Sequence, residues 1–284
     1  MILPGPNRAE FIVIGAMKAA TSTICSYLED HPDTYMVPRA EPNYFSRDEN
    51  FARGDAWYDA HFAPRTTETL CGEGSNGYSW RNLHPETAAR MTAYNPDMKI
   101  IYMVRHPIDR IVSAWLQRRT NSGDAVPATL DRAVREMPGE FVEQSRYWFN
   151  LAPYRDHFGD DRIHIAFMED LNRDPQAVFD GVCDFLGVAR FARDEGNHQN
   201  RSIGKRMPSR AYTAVNRIPG IGLAKRLVPG GLKQLVRTRL LSRKVTEKPR
   251  LSADLRAELA AHLRPEAEAL LDHCGKPRDF WRLD

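Results

Sequence analysis

A short apolar run that leads directly into a tight loop and a helix constrains the fold of this chain more than any other feature. Residues 11–14, Phe-Ile-Val-Ile, are typical of a buried parallel strand, which ends at Gly15. A helix is predicted from about Thr21 to Glu29, because Ile24 and Leu28 lie four residues apart on one face. The chain therefore begins with a strand–loop–helix unit, from which parallel sheets are built.

Further strands alternate with helices along the chain. Lys99–Val104 and Ile163–Phe167 have the apolar composition of buried strands. One helix is predicted to begin at Pro107, a residue that suits a first turn, and another to cover Asp174–Leu186. This alternation predicts the α/β fold class, with three layers in which a central, mainly parallel sheet is flanked by helices.

Three other segments complete the expected organisation. Asp33–Asn82 is punctuated by proline and glycine and is predicted to be a loop-rich stretch, and long loops in compact domains are usually functional. A helix near Pro85–Tyr94 follows it. The last element, Ser252–Cys274, has a leucine-rich helical pattern, which Pro265 is predicted to divide into two helices.

The loop after the first strand has the composition of an anion-binding site. A helix N-terminus offers unpaired N–H groups and the positive end of the helix dipole, and small residues let an anion approach the backbone. Hydroxyl groups at the helix start add further donors. The predicted phosphate- or sulfate-binding residues are Lys18, Ala19, Ala20, Thr21, Ser22 and Thr23. The alternative is a plain strand–helix turn with a surface lysine.

This loop resembles a P-loop but departs from it in one position. The Walker pattern places lysine directly before the Ser or Thr that starts the helix, whereas here Thr21 occupies that place and Lys18 lies three residues earlier. A nucleoside-triphosphate enzyme needs the lysine on the β- and γ-phosphates and the hydroxyl on Mg²⁺. The displaced lysine argues against a kinase or GTPase, although a nucleotide-dependent phosphotransferase with an atypical P-loop stays an alternative.

A second candidate phosphate contact follows the strand at residues 99–104. Arg105 ends that strand, and Ser113 lies eight residues later, two turns into the next helix. The two side chains could converge on one phosphate, because the planar guanidinium group pairs bidentately with phosphate oxygens. The alternative for Arg105 is an ion pair at the strand end.

Together, the two motifs resemble the sulfotransferase superfamily, in their order and in their interval of 85–90 residues. The resemblance implies the co-substrate 3′-phosphoadenosine-5′-phosphosulfate and no metal requirement. It implies that the first loop binds the 5′-phosphosulfate and that Arg105 and Ser113 bind the 3′-phosphate. It covers roughly residues 11–190, with weaker similarity at 246–284, and predicts a single domain over residues 1–284. Within that domain, 11–190 form the core, 201–245 a basic helical insertion and 246–284 a C-terminal, cofactor-side segment.

The chain is most similar to the branch that contains heparan sulfate sulfotransferases and many bacterial relatives. Residues 41–45, Glu-Pro-Asn-Tyr-Phe, resemble the branch's Lys-Glu-x-x-Phe-Phe segment, which implies that Glu41 is the catalytic base. Residues 73–78, Glu-Gly-Ser-Asn-Gly-Tyr, resemble its Glu-Lys-x-Pro-x-Tyr segment. Tyr147 lies where a tyrosine near the adenosine is expected, and Lys248 and Arg250 lie in an approximate match to the loop against the 3′-phosphate.

Three departures from the branch pattern stand out. Ala40 precedes Glu41 where lysine is usual, Gly74 replaces the lysine after the second glutamate, and Asn76 replaces a proline. A cationic contact near the acceptor or the sulfuryl group is therefore absent or supplied from elsewhere in the chain.

Sulfuryl transfer requires an in-line acceptor, stabilisation of charge on the leaving group and removal of the acceptor proton. Lys18 is predicted to neutralise charge on the bridging oxygen between phosphate and sulfur, and Glu41 to act as the base. Competing candidates for the base are Glu73, His61, His84 and His106. For His106, packing or capping at the strand end is the favoured interpretation.

Charge is distributed unevenly along the chain. Residues 201–250 hold fourteen Lys or Arg and one acid, although the formal net charge is only +3. The stretch 218–244 could lie on an anionic membrane surface, line a site for a polyanionic sugar, cover the active site or pack as solvated basic helices. A non-catalytic polyanion-binding protein is a further alternative, but no nucleic-acid-binding motif is present and nucleic acid is not an expected partner.

Location and acceptor are the least constrained properties. No stretch approaches the roughly 20 apolar residues of a membrane span, and the N-terminus lacks the order of a signal peptide. The four cysteines lie far apart without a CxxC pair, which argues against a zinc site and a disulfide framework. These features predict a cytoplasmic enzyme, membrane-peripheral if 218–244 binds lipid. The acceptor is expected to be a carbohydrate, glycolipid or small metabolite.

Overall fold

The computed structural model describes residues 7–38, 41–192, 206–208, 242–244 and 249–283. Seven strands lie in these ranges, in the order β1 Phe11–Gly15, β2 Thr34–Met36, β3 Leu70–Gly74, β4 Lys99–Val104, β5 Ile163–Phe167, β6 Arg206–Pro208 and β7 Ser242–Lys244. The α-helices are α1 Thr21–Asp30, α2 Asp48–Phe51, α3 Asp55–Asp59, α4 Thr87–Tyr94, α5 Pro107–Ser122, α6 Leu130–Glu136, α7 Pro138–Phe141, α8 Tyr147–Phe158, α9 Met168–Arg173, α10 Pro175–Leu186 and α11 Ala253–His273.

The first five strands form one sheet in the order β2-β3-β1-β4-β5, and all four pairings are parallel. Helices flank the sheet, so the predicted α/β class with a mainly parallel sheet is confirmed. β1 is the central strand of the sheet and is buried along its whole length, as is typical of parallel sheets covered by helices. Since parallel strands share a direction, the carboxyl ends of β1, β3 and β4 meet at one edge, where ligands of open α/β sheets bind.

Two of these strands lie in the stretch that the sequence predicts to be loop-rich. β2 has three residues, and β3 reads Leu-Cys-Gly-Glu-Gly, which lacks a strand's usual β-branched pattern. Gly72 is required by packing, since a Cβ there would lie 2.4 Å from the ring of Phe11. Close approach between neighbouring strands, rather than intrinsic propensity, therefore explains the glycine at position 72.

The prediction of two helices around Pro265 is wrong, because α11 is continuous through this residue. A proline removes one hydrogen bond to the carbonyl four residues earlier, here that of Ala261. Pro265 and Ala261 are both exposed, so water can satisfy the freed carbonyl. Leu263 and Leu270 are fully buried on either side of the proline and hold both halves of the helix against the core.

An aromatic cluster anchors the segment that follows residue 41. The rings of Tyr44 and Tyr58 stack with centroids 4.6 Å apart, and Phe45 contacts Tyr94 edge-on at 5.3 Å. The hydroxyl of Tyr44 also donates to Asp55 at 2.8 Å. These contacts attach the backbone after Glu41 to α3 and α4, so the segment has a defined place beside the sheet.

β6 and β7 form a separate antiparallel pair, with Pro208 opposite Ser242. The remainder of the predicted basic insertion at 201–245 lies outside the described residues, as does most of the predicted membrane-binding stretch 218–244. Among the residues that the structure describes, no helix combines the length and the apolar composition that a membrane span needs.

Candidate active site

The loop between β1 and α1 presents backbone N–H groups at the carboxyl edge of the sheet. Lys18 and Ala20 have φ values of 77° and 68°, in the left-handed region that non-glycine residues seldom adopt. Within the described part of the chain no side chain caps the N-terminus of α1. Because the first N–H groups of a helix lack intrahelical partners, this loop and helix can accept an anion.

The two predicted phosphate-binding motifs contact each other. Arg105 donates from Nη1 to the carbonyl oxygen of Lys18 at 3.3 Å, across 87 residues of sequence. Lys18 in turn reaches α5, where its Nζ lies 3.4 Å from Oε1 of Gln117. The side chain of Arg105 is 14% exposed and lies 3.7 Å from Asp109. The end of β4 and the loop after β1 therefore form one basic site.

Ser113 has the environment expected of a ligand-binding hydroxyl. It lies on α5 and is 3% exposed, and its Oγ has no hydrogen-bond partner among the described residues. Leaving a buried hydroxyl unsatisfied costs about 1–3 kcal/mol, so such groups usually bind something. An oxygen-rich group placed beside Arg105 would satisfy it, and the residues present thus fit a phosphate.

Glu41 reaches the same edge of the sheet from the other side of β1. Its Oε1 accepts a hydrogen bond of 2.6 Å from Nδ2 of Asn76, and its Oε2 one of 3.3 Å from the backbone N–H of Asn76. Oδ1 of Asn76 accepts a hydrogen bond of 3.3 Å from Oγ1 of Thr21. The predicted base and the first turn of α1 are therefore linked through a single asparagine, while the carboxylate itself is exposed.

Glu73 is a second carboxyl group close to this edge, and it is fully buried. It accepts hydrogen bonds from the hydroxyls of Tyr58 at 3.2 Å and Ser75 at 2.8 Å, and Tyr78 also bonds to it. Burial raises the pKa of Glu73 to about 7. The hydroxyl groups oppose this shift, whereas the charge of Glu41 adds to it.

Glu73 should make the stability of the protein depend on pH. Between its usual pKa of 4.5 and about 7, the unfolded chain releases a proton that the native state retains, so the free energy of unfolding falls as pH rises. At about 1.4 kcal/mol per pH unit, the loss is about 3 kcal/mol and is complete above pH 7. Glu73→Gln cannot ionise, so its stability relative to wild type should rise by about that amount between pH 4.5 and 8. Urea denaturation of both proteins at several pH values measures their free energies of unfolding. A difference between Glu73→Gln and wild type that does not change with pH would contradict the prediction.

Gly74, where the branch pattern has a lysine, packs closely against two neighbouring side chains. A Cβ on Gly74 would lie 2.7 Å from Sγ of Cys25 and 3.3 Å from Cε of Met36. A larger side chain at this position would therefore require the side chain of Cys25, on α1, to move.

The three histidines have structural contacts of their own. His106 caps α5 by accepting from the backbone N–H of Asp109 at 3.4 Å, and its Nε2 lies 3.0 Å from a C-terminal carbonyl, which confirms the capping interpretation. His61 contacts two backbone carbonyls of α3. His84 stacks on Trp80, and burial lowers its pKa.

Tyr147 lies in the core. It is 1% exposed, and its ring contacts those of Tyr102 at 6.0 Å and Trp281 at 5.8 Å. Its hydroxyl has no hydrogen-bond partner among the described residues. Its predicted contact with adenosine stays a prediction, since the ring faces other aromatic side chains.

Lys248 lies outside the described residues, whereas Arg250 is described and exposed. Arg250 lines a cavity of about 1090 Å³ together with Pro249 and with Ile108 and Val112 of α5. The C-terminal segment thus returns to the helix that carries Ser113, and its role on the cofactor side stays a prediction.

Two polar residues of this site were not predicted from the sequence. Gln117 could have been found, because it lies four residues after Ser113 and so on the same face of α5. Asn76 had a weaker signal, its departure from the proline of the branch pattern. Neither residue belongs to a sequence motif that indicates which ligand is bound.

A family model described as the sulfotransferase domain matches residues 12–206, well over half of the chain. The matched range contains the loop after β1, Glu41, and both Arg105 and Ser113. The chain belongs to the sulfotransferase family. It has the P-loop-like α/β fold of that family, and the resemblance inferred from the two motifs is confirmed.

Animal and protist sulfotransferases are similar to this chain. It is 30% identical to heparan sulfate glucosamine 3-O-sulfotransferase 3A1 of Mus musculus over 201 residues, which cover 68% of this chain and 49% of that protein. It is 33% identical over 117 residues to the membrane-associated sulfotransferase kil1 of Dictyostelium discoideum, covering 38% and 24% of the two chains. The chain spans about half the length of the heparan sulfate relatives it matches.

A solved bacterial sulfotransferase has the same fold. The structure from Alicyclobacillus acidocaldarius superimposes with a TM-score of 0.66 at 25% identity, covering 97% of this chain and 99% of that chain. The likeness extends over nearly the whole sulfotransferase described here and confirms its α/β fold.

Proposed function

We propose that this sulfotransferase transfers the sulfuryl group of 3′-phosphoadenosine-5′-phosphosulfate to a hydroxyl or amine by in-line transfer. The observation that carries the proposal is the contact between Arg105 and the Lys18 carbonyl, which unites two motifs 87 residues apart. A donor with phosphate groups at both its 3′ and 5′ positions needs two such anion sites, side by side. A nucleoside triphosphate would need instead a lysine directly before Thr21, which this loop lacks.

In this proposal, different residues at the edge of the sheet bind different phosphate groups of the donor. The backbone N–H groups of the loop, with the hydroxyls of Thr21, Ser22 and Thr23, would hold the 5′-phosphosulfate. Arg105 and the unpartnered Ser113 hydroxyl would hold the 3′-phosphate. Binding then supplies the hydroxyl of Ser113 with the acceptor that it lacks within the described protein.

Lys18 and Glu41 carry the chemistry in this proposal. The donor supplies an activated sulfuryl group whose departure leaves negative charge on a phosphate oxygen. The ammonium group of Lys18 would neutralise that charge from the loop, and Glu41 would accept the proton of the acceptor. Glu73, which is fully buried, has no access to an acceptor and would act through its contacts with Ser75 and Tyr78.

The acceptor is best sought among carbohydrates, because the relatives that this chain resembles include heparan sulfate glucosamine sulfotransferases. Glycolipids and small metabolites are the other classes to be tested. Gly74 in place of the usual lysine removes one cation from the site, so the acceptor need not be as anionic as heparan sulfate. A cytoplasmic location stays a prediction from the sequence.

Ligand-dependent unfolding and product analysis test the proposed donor. Adenosine 3′,5′-bisphosphate should raise the melting temperature of the protein, whereas ATP with Mg²⁺ and an oligonucleotide should leave it nearly unchanged. Mass spectrometry of acceptor pools incubated with ³⁴S-labelled donor should show a labelled sulfate ester or sulfamate. Stabilisation by ATP with Mg²⁺ instead of the bisphosphate would support the phosphotransferase alternative.

Arg105→Ala should weaken binding of adenosine 3′,5′-bisphosphate by about 10- to 100-fold, the range for losing a charge-assisted hydrogen bond. Isothermal titration calorimetry measures the dissociation constant. Arg132→Ala is the matched control, because Arg132 is an exposed residue of α6 that pairs with Glu136. Equal affinities of Arg105→Ala and wild type would show that the 3′-phosphate is not bound here.

A further inference from the structure

Asn76 uses both ends of its side-chain amide. Its Nδ2 donates to Glu41 at 2.6 Å, while its Oδ1 accepts from Oγ1 of Thr21 at 3.3 Å. The two neighbours fix the orientation of the amide, because a flipped group would direct its oxygen at the Glu41 carboxylate. The backbone N–H of Asn76 adds a third contact, to the other oxygen of Glu41 at 3.3 Å.

The backbone of Asn76 is held firmly in turn. It starts the 3₁₀ turn Asn76–Ser79 that follows β3, and its carbonyl accepts from the buried hydroxyl of Ser79 at 3.2 Å. This turn packs against the end of β1. Asn76 is thus attached to the central strands of the sheet.

The side chain of Glu41 depends on Asn76 for its position, whereas the backbone around Glu41 does not. Neighbouring backbone groups have other partners, since the N–H groups of Asn43 and Tyr44 donate to the hydroxyls of Ser75 and Tyr78. The Glu41 carboxylate is exposed, and both hydrogen bonds that it accepts within the described part of the chain come from Asn76. Without them, a flexible glutamate side chain would be free to turn into solvent.

We propose that Asn76 is a positioning residue that holds the Glu41 carboxylate at a fixed distance from the donor-binding loop through Thr21. This inference rests on the proposed function of Glu41 as the base. Asn76 does not touch the reacting atoms. It keeps the base oriented before an acceptor arrives and couples that orientation to the first turn of α1.

Asn76→Asp tests the inference with almost no change in shape. The substitution keeps the backbone N–H and the acceptor for Thr21, but it replaces the donor to Glu41 by a carboxylate that repels it. Turnover should fall about 10²-fold, because a misplaced catalytic group costs about that much. The KM for the acceptor and the dissociation constant for adenosine 3′,5′-bisphosphate should stay within about twofold. Asn82→Asp is the matched control, an exposed asparagine with one long hydrogen bond to Gly139.

A double-mutant cycle separates positioning from a structural role. In a Glu41→Gln background there is no base to hold, and the new amide at position 41 can donate to the carboxylate introduced at position 76. Asn76→Asp should therefore change the residual turnover of that background by less than about threefold. A full additional 10²-fold loss there would overturn the inference, as would an Asn76→Asp enzyme as active as Asn82→Asp. If wild type neither binds the bisphosphate nor transfers the group, the proposed function fails and the inference fails with it.

Discussion

Lys18→Met is expected to lower turnover by about 10²- to 10³-fold, the usual cost of removing one group that stabilises transition-state charge. Methionine keeps the length of the side chain but removes the ammonium group, which lies at the junction of the loop with Gln117 of α5. The loop conformation should survive, because its contact with Arg105 uses the backbone carbonyl of Lys18. Affinity for adenosine 3′,5′-bisphosphate should therefore change much less than turnover.

Single-turnover kinetics and calorimetry on the same preparation measure the two quantities separately. Lys18→Arg is the informative companion variant, because it retains a positive charge and should recover part of the lost turnover. A parallel loss of turnover and bisphosphate affinity in Lys18→Met would assign the lysine to ground-state binding. If Lys18→Met had the same turnover as wild type, the proposed catalytic role of Lys18 would be excluded.

Glu41→Gln should reduce turnover by about 10²- to 10⁴-fold, the range attributed to general acid–base catalysis. Glutamine has the same shape and can still accept one hydrogen bond from Asn76, so folding and bisphosphate affinity should be preserved. The cause of the loss is the missing proton acceptor. Steady-state rates with a fixed acceptor, together with calorimetry, give the required comparison.

Glu49→Gln provides the control for this substitution, since Glu49 is an exposed carboxylate on α2 whose nearest partner is Arg47. Glu73→Gln tests the competing hypothesis that Glu73 is the base. If the buried Glu73 were the base, its replacement would abolish turnover and Glu41→Gln would have a small effect. Near-normal turnover of Glu41→Gln would exclude the proposed role of that residue.

Much of this fold could be predicted from the sequence because its central strands are strongly apolar. The predicted bounds of β4 and β5 agree with the structure, and α5 begins at Pro107 as expected. β2 and β3 could not be found in the same way, because tertiary contacts rather than local pattern stabilise them. The strand glycines of β3 exist to admit neighbours such as Phe11, and the sequence alone does not show these neighbours.

The parts of the candidate site that could be predicted are those whose functional residues lie together in one short sequence motif. The structure brings the loop of Lys18 and the strand end of Arg105 together, as their order along the chain indicated. The link from Thr21 through Asn76 to Glu41 was not predictable. It depends on a 3₁₀ turn after β3, and that strand was itself unrecognised. For the same reason, the burial of Glu73 and its raised pKa could not be predicted, because Glu73 lies on this strand.

The ion pair between Arg105 and Asp109 bears on the proposed binding of a phosphate group by Arg105. A carboxylate of the protein already lies 3.7 Å from the guanidinium group, so an incoming anion must compete with a built-in monovalent rival. Chloride or a stray carboxylate would gain little by that exchange. A phosphomonoester carries nearly two negative charges at neutral pH and gains more. Since Asp109 is 44% exposed, breaking the pair costs at most about 1 kcal/mol, so Arg105 could turn from Asp109 to a bound phosphate with little loss.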